Sequence, residues 1–276
     1  MTNFSDHQLY SMQKKKQTRK RFLILCLLWG FLGLQIVFVL PANSAQLREI
    51  QRRGNLIVAV KDNLRPLGFR DDQGNLQGLE IDLAQRLAQD LFEREDAVAL
   101  QSVGNNDRLA AITSGRVDLA IAHLTATASR SRLVEFSIPY YADGTSLVSK
   151  TLGNIREIDN QQIAVLEGSS TLGEIKYRFP QARIINVPSY QAAKDLLDRN
   201  GAIAFAGDTS VLTGWVQTYP DYKLFPHLEL RTNDLAIAMP KGLQYQELHQ
   251  QVNNALLRYQ QEKWLLSRVQ YWGLPE

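Results

Sequence analysis

The chain has 276 residues, of which 45% are hydrophobic and 21% charged, with a formal net charge of +3. These proportions are those of a folded globular protein and exclude a disordered chain or a multi-span membrane protein. Six of the 31 Lys and Arg residues lie in positions 1–45 against one acid, Asp6, so the rest of the chain holds 25 basic and 27 acidic residues, and nucleic-acid binding, which needs a basic surface stripe, loses its main support.

Lys14, Lys15, Lys16, Arg19, Lys20 and Arg21 form a basic block, and residues 22–40 are an uncharged run rich in Leu, Ile, Phe and Val. This is the pattern of a secretory signal, with Ala42, Ser44 and Ala45 offering a cleavage site. A run of about 18 apolar residues also suffices to cross a bilayer. Residues 1–45 are therefore expected to be a signal peptide or an N-terminal membrane anchor, with 22–40 as the tether in the second case. Either way, positive charge preceding the apolar run leaves the remainder outside the cytoplasm. The sole cysteine, Cys26, lies in this run without the small-residue context of a lipoprotein cysteine. No disulfide or thiol chemistry is expected in the exported part.

From residue 56 onward, β-rich runs alternate with helical periodicity. Strands are expected at Leu56–Val60, 98–103 and 117–122. Helices are expected around Ile81, Leu83, Ala84, Leu87, Ala88 and Leu91, and over 107–114, which Gly115 stops; 71–75 reads as a turn. A second series follows Lys150: strands at 163–166, Arg183–Val187 and 202–206, with helices from Ser170, over 190–197 and from Thr209. The chain ends on a strand at 235–239 and a helical tail through Leu256, Leu257, Trp264, Leu265 and Trp272. This is an α/β pattern with mainly parallel sheet.

The run VDLAIAHLTATASRSRLVEFSIPYY, residues 117–141, resembles the signature region of periplasmic amino-acid-binding proteins of polar amino-acid ABC transporters. Upstream, GNLIVAVKDNLRPLGFRDDQGNLQGLEIDLAQRLA and DRLAAITSGRVDLAIA resemble the same family's first strand–turn–helix and its next helix and strand. The resemblance implies a two-lobed periplasmic-binding-protein clamshell. Its first lobe is residues 46–147 plus 234–276 and its second is 148–233, with two hinge crossings near 146–149 and 235–239. Ligands in such folds sit at the carboxyl ends of strands.

The same resemblance assigns the site. Thr125, Thr127 and Arg130 fall on a T-x-T-x-x-R pattern in which the first threonine and the arginine contact the ligand, Arg130 gripping the α-carboxylate with a planar two-donor fork. Gly168, Ser169 and Ser170 match a Gly-Thr-Thr pattern that closes on the same carboxylate at a helix start, and Asp208 matches the aspartate that pairs with the ligand ammonium. Ser169, Ser170 and Asp208 also have a plainer reading as helix caps, and Arg130 as a solvated surface residue. Lys61 and Arg108 stand where relatives for aspartate and glutamate carry cations, which points to an acidic amino acid. His123 lies at a rim position that usually holds a small residue. Leu64 and Asn105 replace aromatics found in glutamine- and histidine-type relatives, giving a less apolar pocket.

The implied function is capture of a polar, acidic L-amino acid by an exported monomer and its delivery to an ABC-transporter permease. No cofactor, metal or catalytic residue is called for. The four histidines, His7, His123, His227 and His249, lack ligand spacing, and no G-x-S-x-G or phosphate loop is present. Two alternatives stay open: an amino-acid-sensing ectodomain, and a periplasmic dehydratase with Glu167 as its acid.

Overall fold

In the computed structural model the described residues are 46–169, 171–225 and 233–276. The expected leader, 1–45, lies outside them. Among the described residues no helix is long and apolar enough to cross a membrane.

The segment LIVAV forms β1 (Leu56–Val60), an unbroken apolar run of the kind that parallel strands buried on both faces require. It pairs in parallel with β5 (Val98–Ser102) and β6 (Leu119–Ile121). Two antiparallel strands, β13 (Asn233–Met239) and β7 (Glu135–Asp143), complete the sheet in the order β5-β1-β6-β13-β7. Because side chains alternate along a strand, Val58, Val60, Leu119 and Ile121 face one core. There they meet Leu83 and Leu87 of α2 (Leu79–Phe92) and Leu248, Val252 and Tyr259 of α7 (Gln246–Gln261). Ala59 and Ala120 face the other side, against Ala111 and Ile112 of α3 (Arg108–Thr113). Each of the fully buried large residues contributes about 1.5–3 kcal/mol of transfer free energy. Alanines on the second face let α3 approach closely.

The second sheet has the order β10-β9-β11-β8-β12, built from β8 (Thr145–Ser149), β9 (Gln162–Leu166), β10 (Arg183–Val187), β11 (Ala204–Asp208) and β12 (Lys223–Phe225). Its faces alternate in the same way. Ala164 and Phe205 pack on Leu196 and Leu197 of α5 (Tyr190–Asp198) and on Leu212 and Trp215 of α6 (Thr209–Thr218). Ile163, Val165, Ala204 and Ala206 pack on Ile175 of α4 (Thr171–Arg178) and on Phe179. The tail is two helices, α7 and α8 (Trp264–Tyr271), while α1 (Leu47–Arg53) and a small antiparallel sheet, β2 (Asn63–Leu64), β3 (Gly68–Arg70) and β4 (Leu76–Gln77), had no counterpart in the sequence reading.

Each of the two expected crossing strands lies within one sheet. Residues 146–149 lie inside β8, hydrogen-bonded to β11 and β12, and the chain changes sheets at Gly144, between Asp143 and Thr145. The return strand is already in the first sheet at Asn233, which pairs with Asp143, so 235–239 is sheet interior.

The lobes touch through α6. A β-carbon on Gly214 would stand 2.0 Å from the Arg65 carbonyl oxygen, an approach that only glycine permits. Gln217 Nε2 donates to the Trp272 carbonyl at 2.8 Å.

Candidate functional site

Every expected site residue with a described side chain follows, or lies close after, the carboxyl end of a strand or opens the helix beyond one. Lys61 follows β1, Arg108 opens α3 after β5, His123, Thr125 and Arg130 follow β6, Ser169 follows β9, and Asp208 ends β11. That is where open α/β sheets hold ligands.

On the first-lobe side the cations are fixed by backbone acceptors. Lys61 is 6% exposed and its Nζ donates to the Val103 carbonyl at 3.2 Å. Burial, with Arg108 nearby, holds its ammonium below the usual lysine range. Arg108 NH1 donates to the carbonyls of Ala122 at 3.0 Å and His123 at 2.6 Å, and its Nε donates to Asn105 at 3.0 Å. Arg108 is thereby a clamp on the segment after β6, with most of its fork turned to the protein. Arg130, in a single 3₁₀ turn, donates from NH1 to the Thr125 carbonyl at 2.9 Å, and its N–H reaches Thr127 Oγ1 at 3.3 Å. Thr125 forms an antiparallel bridge with Leu235.

Glu80 organises this wall. Gly78 caps α2 at φ +127°, where a β-carbon would lie 2.2 Å from the Leu67 carbonyl. That close turn lets the Glu80 N–H donate to Leu67 at 2.8 Å and buries its carboxyl completely. Oε1 accepts from the His123 N–H and the Tyr140 hydroxyl, both at 2.6 Å, while Oε2 has no hydrogen-bond partner among the described residues. Burial raises the carboxyl pKa against the pull of Tyr140, His123 and Arg108.

The opposite wall is acidic. Asp143, 1% exposed, accepts from the N–H groups of Gly144 at 2.9 Å and Ser210 at 3.0 Å and from the Ser210 hydroxyl. Asp208 stands at the N-cap of α6, yet its side chain makes no capping hydrogen bond. Burial pushes its pKa up to about 6, with Asp143 and Glu174 adding and His123 opposing. Glu174 accepts the Thr145 hydroxyl. Tyr190, edge-on to Phe205 at 5.9 Å, has its phenol pushed up to about 12 by burial and by Asp208 and Asp143.

Hydrogen bonds link Arg108 to His123 and Arg130 to Thr125, and His123 Nε2 reaches to 3.8 Å from Asp208 Oδ2. Ser169 is engaged locally, its Oγ accepting from the Thr171 N–H at 3.2 Å. Ser170 lies outside the described residues, and Glu167 is exposed on its turn.

The sequence reading did not single out Glu80, Asp143, Ser210, Glu174 or Tyr190. Glu80 left a signal, since it sits on the face of α2 shared with Ala84, Leu87, Ala88 and Leu91, an acid in line with an apolar stripe.

Fold and site together define a two-lobed α/β binding protein with Lys61, Arg108 and Arg130 on the first lobe, Asp208 on the second and Asp143 at the crossing between them. Residues 56–275 match the family model described as bacterial extracellular solute-binding proteins, family 3, and the chain belongs to that family. It is similar to a glutamine-binding protein of Geobacillus stearothermophilus, 27% identical over 188 residues, which cover 66% of this chain and 72% of that one. It is also similar to a cyclohexadienyl dehydratase of Pseudomonas aeruginosa, 28% identical over 110 residues and 40% of each chain. Among solved structures, one titled as an ancestral cationic amino acid solute binding protein superposes with a TM-score of 0.69 at 24% identity, covering 82% of this chain and 98% of that one.

Proposed function

We propose that this chain is an extracytoplasmic substrate-binding protein that takes a polar L-α-amino acid between its lobes and delivers it to the permease of an ABC transporter, with glutamate or aspartate preferred. The observation that carries this reading is Asp208, a half-buried carboxylate at a strand end with no capping bond, set across the hinge from Arg130. An ammonium satisfies the one and an α-carboxylate the other. The ligands named for relatives, glutamine and cationic amino acids, differ in side chain and share those two groups. In this reading the lobes are residues 46–147 with 234–276 and residues 148–233, Ser169 and Ser170 close on the carboxylate, and differential affinity for the closed form shifts the population toward it.

The acidic preference rests on Lys61 more than on Arg108. An ammonium has three donors, and Lys61 has one on Val103, whereas Nε and NH1 of Arg108 are spent on carbonyls. A thermal-shift screen across the common amino acids tests both levels, because a ligand that binds only the folded state raises its apparent stability. The largest shifts are expected with L-glutamate and L-aspartate. Shifts confined to neutral or basic ligands reject the acidic preference, and no shift with any amino acid rejects the function.

One observation favours a second reading. A carboxyl whose pKa burial pushes up to about 6, like that of Asp208, is a competent proton donor, and one relative is named a dehydratase. Recovery of a bound hydroxy acid unchanged after long incubation rejects this alternative.

A further inference from the structure

His123 holds a backbone conformation that few side chains accept. Its φ is +50°, in the left-handed region where a β-carbon crowds the following carbonyl. The conformation is fixed from two sides, by the N–H bond to Glu80 Oε1 and by the Arg108 guanidinium on its carbonyl. Held this way, the imidazole Nε2 lies 3.4 Å from Asp143 Oδ2, 3.8 Å from Asp208 Oδ2 and 3.5 Å from Ser210 Oγ. Asp143 is the last residue of the first sheet before the crossing, whereas Asp208 and Ser210 belong to the second lobe. One side chain of the first lobe therefore reaches the hinge and the other lobe together.

We infer that His123 is an interlobe latch that sets affinity, its imidazolium standing at Asp208 where a ligand ammonium would stand, drawing the unliganded lobes together and competing with the ligand for that carboxylate. The inference rests on the reading of Asp208 as the ammonium receptor. Separations of 3.4–3.8 Å are long for hydrogen bonds, so the attraction is chiefly Coulombic and depends on the imidazole's charge. A neutral ring would lose most of it.

The groups around the ring decide when that charge is present. Asp143 faces it from β7, Glu80, which holds the Tyr140 hydroxyl, from α2, Asp208 from β11 and Ser210 from α6; Arg108 of α3 sits on its carbonyl with Lys61 beyond, and Glu174 of α4 and Tyr190 of α5 flank Asp208. Burial works against the cation, but Asp143, Asp208 and Glu80 outweigh it and raise the His123 pKa above 6.5. The two charges of the latch coexist most fully between about pH 6, where Asp208 is half ionised, and the raised pKa of His123. Raising the pH discharges the imidazole and releases the second lobe; lowering it below about 6 protonates Asp208 and leaves Asp143 alone to hold the ring.

The test is small-angle scattering of unliganded protein from pH 6.5 to 9, with the His123 titration followed by NMR, on the wild type, His123→Asn and Asp208→Asn. Asparagine tolerates the left-handed backbone, so His123→Asn removes the charge and keeps the turn. The wild type is expected to expand as the imidazole discharges, and both variants to be expanded at pH 6.5 and flat thereafter. His123→Asn is also expected to bind L-glutamate about fivefold more tightly at pH 6.5, the scale of one partly exposed ion pair. A wild-type radius that ignores the titration, or a His123→Asn protein as compact as the wild type, overturns the latch. Should no amino acid stabilise the protein, the proposed function fails while the scattering still decides the latch.

Discussion

The two walls of the site are charged in opposite senses and held in opposite ways. Lys61, Arg108 and Arg130 come from the first lobe, and each donates to at least one backbone carbonyl. Asp208 comes from the second lobe and lacks a capping hydrogen bond, with its pKa raised. The cations are preorganised by acceptors that cost them donors, whereas Asp208 makes no capping bond and meets the His123 imidazole at 3.8 Å. On the proposed reading, a zwitterion entering between them has one favourable orientation, carboxylate toward Arg130 and ammonium toward Asp208. Such opposition across a hinge also supplies a reason for closure, since neither lobe alone satisfies both ends of the ligand.

Removing the first wall's grip breaks the comparison most severely. Arg130→Ala is expected to weaken every amino acid about 100-fold or more, because a charge-assisted two-donor contact is lost and a ligand carboxylate is left unpaired. Arg130→Lys restores charge without the fork and recovers only part. Calorimetric titration of both variants measures this, and losses under about threefold would mean that Arg130 serves only to hold the Thr125 carbonyl.

The second wall is probed by pH. Binding an ammonium requires ionised Asp208, so affinity is expected to fall by about tenfold per pH unit below about 6. Stability moves the other way. The folded-state pKa of Asp208 lies above its unfolded value of about 3.8, so the folded protein binds this proton more readily. The group's stabilising contribution is complete below the unfolded value and is lost as pH rises through about 6. The difference between wild type and Asp208→Asn in denaturant midpoint, followed from pH 4 to 7, isolates that term from the other carboxylates. Equal slopes would show that Asp208 titrates normally.

The sequence singled out Arg130 and Asp208 because each falls within an extended motif to which the resemblance attaches a ligand contact; the structure puts Asp208 at the β11–α6 junction and Arg130 in a 3₁₀ turn. It made β1, β10 and the start of α6 legible because apolar runs and periodicity mark faces. Pairing partners leave weaker marks. Asp143–Gly144 reads locally as a tight turn, and its role as the crossing emerges only from Asn233 lying opposite Asp143. Strand β7 escaped notice because Pro139 and two register shifts against β13 interrupt its alternation. Arg108 appeared from its position to be a ligand cation, and its engagement with Asn105, Ala122 and His123 depends on a loop path that no one-dimensional pattern encodes.

The contact between the lobes offers a milder way to weaken the opposition without touching a charge. Gly214→Ala places a β-carbon against the Arg65 carbonyl, and overpacking of this kind typically costs about 1–3 kcal/mol. If the cost falls on closure, ligand affinity drops about tenfold while circular dichroism and the melting point of the unliganded protein stay near wild type. A large fall in unliganded stability would assign the contact to folding instead.

The smallest expected effect sharpens the asymmetry within the cationic wall. Lys61 bears its charge against burial and against Arg108, a cost that a distal ligand carboxylate would relieve by supplying an opposite charge at short range. Lys61→Met keeps the apolar stem and removes the ammonium. The ratio of glutamate to glutamine affinity is expected to fall about fivefold, with glutamine binding itself within about twofold of wild type, since Arg130 and Asp208 are untouched. Parallel titrations with the two ligands give the ratio directly. An equal loss for both ligands would place Lys61 in the support of the segment around Val103, whose carbonyl it holds at 3.2 Å, and would leave the side-chain preference to other residues.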